Sequence, residues 1–266
     1  MQYIFASDPH GIGDPWINLV TLAEEKYPNA QLVFGGDYID GHPYSLQIVK
    51  FIRRKVQQDH AIALIGNHEQ RMYEFVTKGD LTWYFKGGEE TARTWLRASL
   101  SKKKIRCSLQ KNPYYSFLIN LPTMYVTKHL VFVHAGLTRG ELAGHVHLQS
   151  YKNMQVDPYV RTHLWVRTNY IWENDQTTFA HNLTGKTIVT GHVPTNRIHG
   201  IFSPSTTNYS DNMTIDNPNK GDCPVKVIQY PNEAPRYFTD NGCHKNVNQH
   251  GNICVFNDYG QLIQAF

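Results

Sequence analysis

Six side chains of metal-binding type fall in short polar segments that contain glycine. Asp8 and His10 lie in Ser7-Asp8-Pro9-His10-Gly11, and Asp37 in Gly35-Gly36-Asp37-Tyr38-Ile39-Asp40. Asn67 lies in Gly66-Asn67-His68-Glu69, His134 in His134-Ala135-Gly136, and His192 in Gly191-His192-Val193. Carboxylates, an amide oxygen and neutral imidazoles, with no thiolate among them, suit hard or borderline divalent cations; Mn²⁺ is the first expectation, with Fe or Zn²⁺ next. The Asp-x-His spacing places two ligands near each other on an extended segment, while Asp37, alone on its turn, could bridge two ions through its two oxygens. Two ions roughly 3.5–4 Å apart can hold a hydroxide, orient a phosphate and stabilise both attacking and leaving oxygens of an in-line displacement. The chemistry these residues suggest is hydrolysis of a phosphate ester.

Something must bring segments so distant in sequence together. Each directly follows a short apolar, partly β-branched run that reads as a buried strand: residues 3–6, 32–34, 62–65, 130–133 and 187–190. Helical patterns separate the first three. One runs from about Pro15 to Tyr27; another opens at Pro43 and carries Leu46, Val49, Ile52 and Val56 on one face. A third follows the Asn67-His68-Glu69 turn. Alternation of strand and helix implies parallel pairing with right-handed crossovers, and the carboxyl ends of such strands share one edge of the sheet. From about residue 78 to 128 the chain becomes helical and rich in aromatics such as Trp83, Tyr84, Phe85 and Trp95, which reads as a cap insertion. Residues 201–235, with Pro204, Pro218, Pro224, Pro231 and Pro235 among many Asn, Ser and Thr, read as a long loop. Closing strands are expected at 237–239, 252–256 and 262–263. A single domain over residues 1–266 accommodates all of this.

In this order, the blocks Asp8-Pro9-His10-Gly11, Gly36-Asp37-Tyr38-Ile39-Asp40, Gly66-Asn67-His68-Glu69, His134-Ala135-Gly136-Leu137 and Gly191-His192 resemble those of calcineurin-like metallophosphoesterases. They are most similar to the phosphoprotein phosphatase branch, with its bacterial and phage members and the symmetrical dinucleoside tetraphosphatases. The likeness resumes near Asp240-Asn241-Gly242-Cys243 and Gly251-Asn252-Ile253-Cys254-Val255. The resemblance implies an α/β fold whose core is a β-sandwich of mixed sheets flanked by helices, with a helical cap. It implies that Asp8, His10 and Asp37 bind one metal and that Asp37, Asn67, His134 and His192 bind a second. It further implies that His68 is a general acid oriented by Asp40, and that Arg167 binds phosphate. The implied substrates are phosphorylated proteins, as for a serine/threonine phosphatase, or small phosphate esters; a symmetrical dinucleoside tetraphosphatase is the alternative.

One block departs from the pattern: Asp40 is followed by Gly41-His42, where that branch carries arginine and glycine. His42 could substitute for the arginine, or Arg71 could swing in, so both join the candidate phosphate-binding residues. The departure also motivates a third reading, a catalytically weakened fold serving as a binding module; retention of His68, Asp40 and the six ligands argues against it. Pro9 between two ligands stiffens their turn.

Composition narrows the rest. Nowhere do 18 uncharged apolar residues follow one another and no basic leader precedes Tyr3, so the expectation is a cytoplasmic protein without a membrane partner. The net charge of +4 is modest, and Lys102-Lys103-Lys104 reads as solvated surface; nucleic acid is not expected as a partner except as a nucleotide substrate. Cys107, Cys223, Cys243 and Cys254 form no Cys-x-x-Cys pair and read as reduced, structural thiols. Glu69 reads as structural, Tyr38 and Trp165 as core. His145, His147, His163, His181, His199, His244 and His250 default to surface or loop positions.

Overall fold

Strand β1 (Gln2–Ala6) shows how the chain is layered: Tyr3 and Phe5 face one buried cluster, and Ile4 and Ala6 another. A strand buried on both faces needs a layer on each, since successive side chains point to opposite sides. In the computed structural model, residues 1–96, 101–151, 153–165, 180–197, 213–215, 225–244 and 251–266 are described.

One layer is helical. Helix α1 (Asp14–Lys26) opens with Pro15 in its first turn and buries Trp16, Val20 and Ala23. Helix α2 (Ser45–Gln58) buries Ile48, Val49, Phe51 and Ile52. These side chains share a cluster with Ile4, Ala6, Leu32 and Phe34. Strands β2 (Gln31–Phe34) and β3 (Ile62–Ala63) extend β1 in parallel, as the strand–helix alternation predicts. Helix α3 (Asn67–Lys78) follows β3 and ends on Gly79 in the left-handed region.

Three helices then form the aromatic-rich segment: α4 (Glu89–Leu96), α5 (Lys102–Gln110) and α6 (Pro113–Ile119). Their buried Trp95, Ile105, Leu109, Tyr115 and Leu118 join the same cluster as α3. The segment expected to be a cap through residue 128 thus ends earlier, because β4 (Met124–Val126) pairs antiparallel with β5 (Leu130–Val133).

The other layer is a second sheet. After α7 (Arg139–Leu142) and α8 (Val160–Trp165) come β6 (Thr187–Thr190), β7 (Met213–Ile215), β8 (Val225–Ile228) and β9 (Arg236–Phe238), in the order β4-β5-β6-β9-β8-β7. Strands β10 (Ile253–Asn257) and β11 (Leu262–Ala265) complete the first sheet, β11-β10-β1-β2-β3. Both sheets are mixed, and they face each other across Tyr3, Phe5, Val33, Leu130, Phe132, Val189, Val227, Tyr237 and Phe256. This is the sandwich implied by the resemblance, in place of the single open sheet suggested by strand alternation alone. Strands β7 and β8 correct the reading of 201–235 as loop. In β8, Val225 and Val227 point into the inter-sheet core, a signal too short to stand out among the surrounding Asn, Ser and Pro. Of the cysteines, Cys107, Cys243 and Cys254 are free thiols, and Cys223 lies outside the described residues.

Candidate metal centre

Strands β1 and β2 run parallel in one sheet, and β5, β6 and β9 run parallel in the other. Their carboxyl ends therefore deliver Asp8, Asp37, His134, His192 and Asp240 to one edge of the sandwich. The backbone turns sharply there. Asp8, His10, Asp37, Asp40 and His192 all take positive φ, between 43° and 69°. Each such non-glycine residue costs about 1 kcal/mol or more, which the surrounding hydrogen bonds offset. Asp8 N donates to Gly36 O at 3.0 Å and His10 N to Asp37 O at 3.1 Å, which locks the first two turns together. Glu69 ties in the third, accepting from Asp37 N, Tyr38 N and Gly66 N at 2.9–3.0 Å; its reading as structural fits. Gly36, at φ +100°, has no room for a side chain, because a Cβ there would sit 2.7 Å from Gly66 Cα.

All six proposed ligands converge on this edge. Asp8, His10 and Asp37 present ligand atoms within 4.8 Å of one another, and so do Asp37, His134 and His192, so Asp37 belongs to both groups. The Asn67 amide oxygen lies 3.1 Å from His134 Nε2, at the point where Asp37 and His192 also converge. Turned over, the amide NH₂ would donate to all of these neighbours. With the oxygen inward and the His134 ring neutral, every group at that point is an acceptor, the arrangement a cation satisfies. The tautomers fit as well. His134 Nδ1 donates to Gly35 O at 2.8 Å and His10 Nδ1 faces Ile39 O at 3.3 Å, which leaves Nε2 of each as a lone-pair donor. The residues present therefore suit a pair of divalent ions sharing Asp37.

His68 is paired with Asp40, its Nδ1 2.8 Å from Asp40 Oδ2, and its Nε2 is 4.0 Å from Asp37 Oδ2. Burial lowers the proton affinity of His68, but Asp37 and the Asp40 hydrogen bond outweigh it, so the imidazole titrates above its ordinary range. Asp40 is held from three sides. Trp83 Nε1 donates to its Oδ2 at 3.0 Å and Thr91 Oγ1 to its Oδ1 at 2.7 Å, so the helical insertion reaches into the site.

Other predicted residues fall nearby. Arg71 stacks on Trp165, its Cζ 4.5 Å from the ring centroid, and Trp165 contacts His192 edge-on at 6.4 Å. Trp165, partly buried against the main core as expected, thus also forms part of the site's rim. His42 lies outside the ligand groups and bonds Cys243 O at 2.7 Å through Nε2. Arg167 lies outside the described residues.

Two histidines assigned to surface or loop by default need correction. His244 reaches the site, 4.4 Å from the His10 ring and 5.4 Å from the His68 ring. It arrives because β9 is parallel to β6, so its carboxyl end opens on the same edge. The rule that located the other five turns applies equally to Asp240–His244, but the 237–239 run reads as a closing strand. His163 is fully buried between two acids, with Nδ1 2.8 Å from Asp157 Oδ2 and Nε2 3.0 Å from Glu141 Oε2. His199 and His250 lie outside the described residues.

A family model described as calcineurin-like phosphoesterase matches residues 1–221 of this chain. The chain belongs to that family. It is therefore a hydrolase of a family that uses divalent metals. A phosphoesterase of Anoxybacillus flavithermus, named an asymmetrical bis(5'-nucleosyl)-tetraphosphatase, is 33% identical over 158 residues, 54% of this chain and 60% of the relative. A protein of the same name from Halalkalibacterium halodurans is 25% identical over 153 residues, 54% of this chain and 61% of its own. The match thus spans about 60% of the length of these relatives. Among solved structures, a Saccharomyces cerevisiae serine/threonine phosphatase superposes with a TM-score of 0.51 at 13% identity, covering 100% of this chain and 79% of its own. A cold-active protein tyrosine phosphatase gives 0.51 at 15%, covering 99% and 78%. These two share the phosphoesterase fold.

The electrostatics of this phosphoesterase site follow from crowding like groups. Burial, then neighbouring Asp240, pushes the Asp8 carboxyl well above its ordinary range. Burial disfavours a charged His134, yet Asp37 and Asp8 outweigh it and lift the imidazole to about 10. Asp37 is held well below the usual carboxylate range, His134 and His68 overcoming the effect of burial. A proton on His134 thus offsets the carboxylates, and any cation held at its Nε2 would have to displace that proton. Among the described residues no helix is long and apolar enough to cross a membrane.

Proposed function

We propose that this phosphoesterase cleaves phosphate esters or phosphoanhydrides by in-line displacement at a dinuclear centre held by Asp8, His10, Asp37, Asn67, His134 and His192. The observation that supports this most directly is the sharing of Asp37 between two ligand groups, with the His68–Asp40 pair alongside it. When bound, two divalent ions, Mn²⁺ first among the candidates, would supply the positive charge that polarises the phosphoryl group and activates the attacking water. His68, its Nδ1–H directed to Asp40, would give its Nε2 proton to the leaving oxygen. Asp40 would fix the tautomer and favour the charged imidazole, while Trp83 and Thr91 keep its carboxylate oriented. Arg71, supported on the Trp165 face, would grip phosphoryl oxygens beside His192.

Two substrate classes follow. Phosphoserine or phosphothreonine in proteins is the first. The second is a dinucleoside tetraphosphate, favoured by the names of the curated relatives and cleaved asymmetrically if the likeness extends to regiochemistry. A panel of phosphopeptides, p-nitrophenyl phosphate and diadenosine tetraphosphate, assayed with Mn²⁺, separates them, and product nucleotides show where an anhydride is cut. No turnover of any member, with His68→Asn indistinguishable from wild type, would sink both readings.

A further inference from the structure

The turn after β9 brings one imidazole to the centre, and several hydrogen bonds fix the turn that carries it. Cys243 is buried, and its carbonyl bonds His42 Nε2 at 2.7 Å. Upstream, Asp240 O accepts from Thr195 N at 3.0 Å, and Asp240 Oδ1 accepts from Gly242 N at 2.7 Å. Opposite His244 stands Gly41, at φ +88°; a Cβ there would lie 3.0 Å from His244 Nδ1 and 3.2 Å from His10 Cβ. Gly41 thus leaves the space that His244 fills, and His42 holds the turn that delivers it. The two residues that depart from the family pattern at 41–42 and the Cys243-His244 turn form one unit.

His244 shares a close group with His10 and His68, whereas the described groups containing Asp8 or Asp37 do not include it. Its ring thus lies beside His68 and the proposed ligand His10, in a trio of imidazoles whose ligand atoms fall within 4.8 Å and which could by geometry hold a cation, and it lies outside the described groups that contain the shared carboxylate Asp37. A leaving oxygen must lie there if His68 is to protonate it, and the phosphoryl oxygens must lie close by. Trp165 contacts His192, and Arg71, one turn along α3 from His68, lies over the Trp165 ring.

We propose that His244 is a substrate-binding residue that donates an imidazole N–H to a phosphoryl oxygen on the His10–His68 flank of the centre. The inference rests on the reading of this site as a phosphoesterase centre. It makes the Gly41-His42 departure a relocation of phosphate binding to the turn after β9 rather than a simple loss.

The test compares Mn²⁺-loaded wild type, His244→Ala and His244→Gln by inorganic phosphate titration in a calorimeter, p-nitrophenyl phosphate kinetics and Mn²⁺ content per chain. A hydrogen bond to a charged group predicts that His244→Ala weakens phosphate binding and lowers kcat/KM by about 10- to 100-fold, with two Mn²⁺ retained. His244→Gln, whose amide can still donate, should recover part of both. Phosphate affinity unchanged in His244→Ala would overturn the proposal, as would loss of one Mn²⁺ per chain, which would make His244 a ligand instead. Should His244→Ala fail to fold, the same two criteria apply to His244→Gln against wild type, with about a several-fold loss of phosphate affinity expected. Wild type that holds Mn²⁺ but neither binds phosphate nor turns over any ester would fail the underlying reading as well, and is thereby distinguishable from a defect confined to His244.

Discussion

Replacing His163 with alanine tests the buried network beneath the site. The His163 ring is sandwiched between Asp157 and Glu141, all three side chains fully buried, and Thr123 and Thr138 donate to the same two acids. Burial lowers the His163 proton affinity, but its two carboxylate partners outweigh that and raise it to about 9 from an ordinary 6.5. A lift of that size corresponds to about 3 kcal/mol of folding stability. Because the folded value is the higher one, this contribution is complete below pH 6.5 and is lost as pH rises through about 9. The acids behave oppositely. Both are held below their usual range by His163 against the effect of burial, so their share is present above ordinary carboxylate values and fades as pH falls through the lowered ones. Alanine leaves two buried carboxylates with no cation between them, for which about 3–5 kcal/mol is the expected loss. For a chain of this size that is on the order of 10 °C in Tm. Thermal unfolding followed by circular dichroism at pH 6 and pH 9 should show a large gap between wild type and His163→Ala at pH 6, narrowing at pH 9. A gap under about 2 °C at pH 6, or one that widens with pH, would refute the charge-paired description. The effect should also reach the centre, because His163 O accepts from Ala135 N at 2.8 Å, next to His134.

Two further outcomes are expected. Asp37→Asn removes charge from the residue shared by both ligand groups, so metal analysis should find fewer than two ions per chain and activity should fall by at least about 100-fold; full occupancy with full rate would show the assignment wrong. Trp83→Phe deletes the buried donor to Asp40 Oδ2, which should lower kcat more than it raises KM and cost about 1–3 kcal/mol of stability, measured by kinetics and denaturant unfolding. An unchanged kcat would mean that the helical insertion does not orient the His68–Asp40 pair.

Much of the centre was legible because its residues follow strands. A strand that is buried on both faces reads as a continuous apolar run, and the polar turn at its end is conspicuous by contrast. Residues 3–6 and 130–133 were readable in this way, and with them Asp8, His10 and His134. His244 was not, since its strand, Arg236–Phe238, is only three residues long and its direction relative to β6 is set by pairing with no local signature. His163 was missed for a different reason. Its partners lie 22 and 6 residues away in loop and short helix, where no periodicity marks a buried ion pair.

Local chemistry in the sequence determined the kinds of candidate ligands and the glycine-bearing turns that carry them, because each depends on residues within a few positions or on side-chain type alone, whereas the His68–Asp40 pair, 28 residues apart, came from the family resemblance. Only the tertiary structure decided which turns share an edge. Parallel pairing of β9 with β6 brought its end beside those of β5 and β6, and packing the two mixed sheets face to face set that edge against the ends of β1 and β2, seated His244 over Gly41, and laid Arg71 on Trp165. Those placements arise from pairing and burial between segments far apart in the chain, and they concern the residues proposed to bind phosphate more than the candidate metal ligands.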